Sequence, residues 1–107
     1  MTAKYWQKGE VLDYKASTAV KNGEVVSLGT RIGVAGKDIA AGETGHLHVV
    51  GVFEMEKATG DVTMGAALYY SATDKKITTT ASGNVPAGYA AAPAASADET
   101  VLVKLLG

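Results

Sequence analysis

The chain has 107 residues, enough for one domain and too few for two independent cores. Its 47% apolar and 20% charged residues are those of ordinary folded globules, so disorder is not the default reading. A formal net charge of −1 with scattered basic residues gives no footprint for nucleic acid, no stretch reaches the ~20 apolar residues that span a bilayer, and the absence of cysteine removes disulfides and thiolate chemistry.

The first eight residues, Met1-Thr-Ala-Lys-Tyr-Trp-Gln-Lys8, carry charges where a signal peptide would need a continuous apolar core. The expectation is a protein made and kept in the cytoplasm, or in an assembly built there. Tyr5 and Trp6 stand between Lys4 and Lys8, ahead of the first clear strand. Large aromatics in a terminal segment are either a flap over the chain's own core or an anchor on a partner. Tyr and Trp are the residues most enriched at binding hot spots. Residues 1–8 are therefore expected to form an arm before a single β domain over 9–107, with Lys4, Tyr5, Trp6 and Lys8 as the candidate partner-binding residues.

From there the apolar pattern has period two almost throughout, the mark of half-buried strands. Short strands are expected over Glu10–Tyr14, Glu24–Leu28 and Arg31–Ala35, then a long one over His46–Met55. One face of that long strand reads Leu47, Val49, Gly51, Phe53, Met55; the other is polar at both ends and apolar in the middle. The long strand is expected to run from a solvated edge into a second packed layer. Ala67–Tyr70, Lys76–Thr80, Gly88–Ala92 and Thr100–Leu106 complete the set, with Val101, Val103 and Leu105 on one side of the last. Turn residues divide the runs: Asn22-Gly23, Gly42, Gly60-Asp61, Thr73-Asp74 and Gly83-Asn84. Asp61–Ala66 could make one helical turn, weakened by Gly65, and Gly88 and Pro93 break the Ala-rich stretch 87–97 into a strand followed by a loop. Gly23-x-x-Val26, Gly42-x-x-Gly45 and Gly65-x-x-Leu68 each open a strand after a turn, a similarity too loose to define a repeat. The predicted fold class is all-β, a small β-sandwich or β-barrel of short antiparallel strands with little or no helix.

No residue pattern supports catalysis or a cofactor. Gly33-Val-Ala-Gly36-Lys37-Asp38 has its glycines three apart, too close for a phosphate loop, and an acid where a magnesium-binding hydroxyl belongs. His46 and His48 point to one face of a strand, but a stable zinc site needs a third and fourth ligand. With no other His and no Cys, only carboxylates such as Glu54 remain. The pair reads as surface histidines near a strand start, a metal shared between chains on an oligomer axis being the remaining arrangement. None of the serines at 17, 27, 71, 82 and 96 lies in a nucleophile elbow. Glu54 and Glu56 share a face and precede Lys57, in what reads as a solvated strand end. The expectation is no enzyme, no metal and no cofactor.

Nine motifs follow one another along the chain: Asn22-Gly-Glu-Val-Val26, Ile32-Gly-Val-Ala35, Asp38-Ile-Ala-Ala-Gly-Glu43, Gly51-Val-Phe-Glu54, Lys57-Ala-Thr-Gly60, Gly65-Ala-Ala-Leu-Tyr-Tyr70, Ile77-Thr-Thr-Thr-Ala81, Gly88-Tyr-Ala90 and Val101-Leu-Val-Lys-Leu105. In order and spacing they resemble the DUF2190 family of tailed-phage and prophage proteins, often described as capsid cement or decoration proteins, over Lys8 to Leu106. The resemblance implies a β-sandwich or β-barrel that binds the outside of a phage head and reinforces contacts of the major capsid protein, with no catalytic residues to carry over. It further implies a homo-oligomer, trimer or dimer, on the virion capsid surface after synthesis in the host bacterial cytoplasm. Other readings are a different virion component, such as a head-fibre base or tail-associated adaptor, and a metal- or sugar-binding β module.

Overall fold

In a computed structural model, residues 2–106 are described. They contain no helix and nine strands: β1 (Val11–Lys15), β2 (Val25–Ser27), β3 (Ile32–Ala35), β4 (Thr44–His48), β5 (Val52–Glu56), β6 (Ala67–Ser71), β7 (Lys76–Thr78), β8 (Val85–Ala90) and β9 (Thr100–Leu105). Two antiparallel sheets, ordered β1-β4-β3-β2 and β5-β9-β8-β6-β7, form a small sandwich, as the period-two pattern predicts.

Three expectations need correction. The long strand over His46–Met55 is two strands in different sheets. Gly51 takes a φ of 124° between them, Val49 N–H donates to the Glu10 carbonyl and Leu105 N–H to that of Gly51. The expected change of layer is there, made by a break rather than a continuous strand. β8 begins at Val85, ahead of its predicted start at Gly88. Pro86, which has no N–H to give, sits where the register with β6 shifts between Leu68 and Tyr69, a position that tolerates it. Asp61–Ala66 makes no helical turn: Val62 bridges Ala94, and Ala66 N–H closes a turn on the Thr63 carbonyl.

The loose glycine similarity is a structural repeat. The chain folds the same four-stranded unit twice, β1-β4-β3-β2 and then β5-β9-β8-β6, with β7 added in the second half. Registers correspond pair by pair: Val25↔Val34 and Val26↔Gly33 match Ala67↔Tyr89 and Leu68↔Gly88, and Ala35↔Leu47 matches Ala90↔Val103. In each half two long connections bridge one another, Val20 to Ile39 and Val62 to Ala94. Each bridging residue leads into a tight turn, closed by Glu24 N–H on Lys21, Glu43 on Ala40, Ala66 on Thr63 and Asp98 on Ala95. In the first three turns a glycine supplies φ of 82°, 83° and 84° at Gly23, Gly42 and Gly65, the left-handed conformation that costs a side chain energy.

The core divides accordingly. Ala16, Val20, Val26, Ala35, Ile39 and Leu47 pack on one face of the first sheet. A larger cluster built on Met55, Leu68, Tyr70, Ile77, Val101, Val103 and Leu105 fills the second half and takes in Ile32 and Val34 from the other face of β3. β3 is buried along its whole length because it is packed on both sides. β7 curls the second sheet towards closure: Ile77 bridges Lys57, and Ala58 N–H donates to its carbonyl at 2.8 Å.

Gly88, at φ 150°, tests this packing. A Cβ there would run into the Lys104 carbonyl oxygen on neighbouring β9, whereas one at Gly83 (φ 74°) would meet open space. Gly88→Ala carries about 1–3 kcal/mol of backbone strain plus that clash. Gly83→Ala carries only ~1–2 kcal/mol. Thermal denaturation of the two variants is expected to show a much larger loss of Tm for Gly88→Ala.

Candidate partner-binding surfaces

Residues 2–9 carry no strand, and Lys4, Tyr5, Trp6 and Lys8 are exposed. Tyr5 is 83% and Trp6 89% accessible, so neither is a flap over the core. Gln7 Nε2 donates to the Val11 carbonyl at 3.2 Å, tying the root of the arm to the edge strand β1. A tryptophan and a tyrosine held in water, flanked by two cations, offer large rigid contact area at little entropic cost to whatever covers them.

A second feature was not legible in the sequence. A groove of about 490 Å3 opens between the two halves. Val25, Val34 and His48 line it from the first sheet, Phe53, Met55, Tyr70 and Ile77 from the second. His48 and Phe53 approach with ring centroids 6.0 Å apart. No motif could announce it, because its walls come from strands distant in sequence that meet only once the sheets pack. Tyr70 is held above the usual tyrosine pKa, first by burial and then by the negative charge of Glu24.

Several of the residues weighed for chemistry make structural contacts. Asp38, from the loop that superficially resembles a phosphate binder, accepts the Asn22 N–H at 2.8 Å, and Asp61 accepts that of Ser96 at 2.7 Å. Each acid thus precedes a bridging residue and locks the opposite turn. Ser27 and Ser71 accept N–H groups of Gly29 and Asp74 within turns. His46 faces Asp13 across the β1–β4 pair at 3.4 Å on an exposed surface, and among the described residues no three His, Cys, Asp or Glu are grouped to hold a metal ion. Glu54 accepts the Thr100 hydroxyl at 3.1 Å. Lys57 corrects the solvated strand end: it is buried, and its ammonium donates to the Ala58 and Ser96 carbonyls at 3.1 and 3.3 Å. The Ser96 contact ties the end of β5 to the connection that follows β8.

The family model described as phage cement protein matches residues 6–105. The chain belongs to the phage cement protein family. The match opens on Trp6 and includes both halves of the duplicated fold, and its description is that of a bacteriophage structural family; the DUF2190 label is not part of it. No curated protein and no solved structure is a match.

Two side chains test the packing of the second half. A tyrosine in the unfolded chain ionises near pH 10. Tyr70 in the folded protein ionises later, so between the two values the unfolded state binds fewer protons and stability falls as pH rises. Melting curves from about pH 9 to about pH 11 are expected to show a shallower decline for Tyr70→Phe than for the unaltered protein. Lys57→Ala, the residue found at the equivalent Ala16, strips two carbonyls of their donor. The expected loss is about 1–3 kcal/mol in urea denaturation.

Proposed function

We propose that the protein cements a tailed-phage head: it binds the outer surface of the shell, reinforces contacts between major capsid subunits, and uses residues 2–8 as its anchor. The observation that carries this reading is an exposed Tyr5-Trp6 pair at the start of a chain whose remainder matches the cement family. A fold of this size has little surface to spare, and an extended arm adds contact area without enlarging the core. On a symmetric shell many such weak attachments act together, so modest affinity per site is enough. Near-neutral charge suits a partner recognised by shape and pairing rather than by long-range steering. The reading places the protein on the virion and gives it a binding role rather than a catalytic one.

Sedimentation with purified, undecorated expanded heads is the direct test. The protein is expected in the pellet, and its absence there, while a known decorator of the same heads sediments, would overturn the reading. Trp6→Ala is expected to weaken head binding roughly 30-fold or more, the loss expected when a hot-spot aromatic is truncated. Its melting temperature should not change, since Trp6 packs on nothing in the fold.

A further inference from the structure

The internal duplication leaves one surface of each half without its counterpart. In the first sheet, Val11, His48, Val34 and Val25 lie side by side across β1, β4, β3 and β2. The second half covers this row: Val34 is 5% accessible and Val25 packs on the cluster that holds Met55, Tyr70 and Ile77, while His48 meets Phe53. The equivalent row in the second sheet is Val52, Lys104, Tyr89 and Ala67, across β5, β9, β8 and β6. Nothing covers it. Val52 is 51% and Tyr89 46% accessible, and Leu102, paired with Glu54 next to the row, is exposed as well.

The complementary surface is also duplicated. Phe53 and Met55, which receive the first row, correspond by register to Leu12 and Tyr14 of the first half, and Tyr70 to Leu28 by its place along the strand, three residues after Ala67 as Leu28 is after Val25. Those positions have no sheet laid over them: Leu12 and Leu28 are exposed and Tyr14 is half-buried. β7, which supplies Ile77 in the second half, has no counterpart in the first, so that inner face is more open still. One molecule therefore carries an unused copy of each side of its own internal interface, on opposite outer faces of the sandwich.

We infer that a second copy of this chain completes the pattern, seating its Val52–Lys104–Tyr89–Ala67 row on the Leu12–Tyr14–Leu28 surface of the first. The occupant is specified by continuity with the interface already formed within the chain, whose two sides these surfaces repeat in backbone register and apolar character. Such a contact is heterologous, head to tail, and gives a ring where its rotation closes. It concerns the free protein and does not rest on head binding.

The equivalence fixes a pair to test, since the His48–Phe53 contact within the chain maps onto Lys104 of one copy and Leu12 of the next. The protein has no cysteine, so single-cysteine variants report cleanly. Leu12→Cys mixed with Lys104→Cys under mild oxidation is expected to give a mixed disulfide dimer much faster than Leu12→Cys mixed with Ala81→Cys. Analytical ultracentrifugation should find the unaltered full chain oligomeric and Tyr89→Glu dissociated with its thermal melt retained. Mixed cross-linking no faster than the control, or a Leu12→Cys variant that links chiefly to itself, would overturn the inference. So would an unaltered protein that stays monomeric at its highest soluble concentration. Heads that still bind such a monomer would leave the cement reading standing and remove only this one.

Discussion

Two antiparallel bridges, Val20 to Ile39 and Val62 to Ala94, are the contacts on which this architecture depends. In each half the chain leaves its first strand, β1 or β5, crosses the sheet and re-enters at a distance, at β2 or β6. A crossing segment exposes backbone groups that must find partners once side chains pack beneath it. Pairing it with the connection between two neighbouring strands, β3 and β4 or β8 and β9, supplies those partners: Val20 and Ile39 exchange both N–H to carbonyl bonds, and so do Val62 and Ala94. With the two connections fixed together, the first and last strands of each half lie alongside one another, which is the order β1-β4 and β5-β9. The same bridges drop Val20, Ile39 and Val62 into the core. Asp38 and Asp61 then secure the turns from the opposite side through charge-assisted bonds to backbone N–H groups.

The two halves share this scheme but not their burden. The second gained β7, a larger core and a buried lysine where the first has Ala16. A buried ammonium is costly unless its donors are satisfied. Lys57 meets that demand with carbonyls from two separate segments, so its presence ties β5 to the far connection that Ala16 could not reach. The asymmetry follows from packing: the second half receives the outer face of β3 in addition to building its own core, and needs the extra strand and tie to hold both. The first half keeps a small core under its own connections.

What could be read from the sequence was whatever is local. Alternation at Thr100–Leu105 and Asn-Gly at residues 22–23 specify a strand and a turn from neighbouring residues alone, and Tyr5-Trp6 stood out because aromatics are scarce in this chain. The break between β4 and β5 was hidden because Val49 and Phe53 continue one apolar face across it, and Gly51 was the only signal. Pro86 concealed the start of β8, since only the partner strand's register shift makes a proline acceptable there. The duplication was hidden for a different reason. Apart from a few matches such as Gly33 with Gly88 and Ala35 with Ala90, the two halves share backbone hydrogen bonds rather than side chains, and the match of Val34 with Tyr89, or His48 with Lys104, has no trace in residue type. The groove, whose walls join Val34 to Met55, exists only after that duplication has folded.

A repeat that preserves hydrogen bonding while changing side chains is also a way to separate two tasks within one small domain. Where the outer row carries Val25, Val34 and His48 it is spent on holding the halves together. Where the same row carries Tyr89, Lys104 and Val52 it remains open, and its aromatic and aliphatic groups are those that interfaces favour over bare surface. The arm presents a separate aromatic pair on a segment that adds nothing to the core. Head binding and self-association, as proposed, call for two surfaces that do not compete. This fold supplies them from different sources, one from a sheet face left over by duplication and one from the chain before the first strand. Because the arm roots at β1, close to Leu12, any ring built through the sheet faces would array the arms around it, and each would bind its share of a symmetric surface in concert with the others.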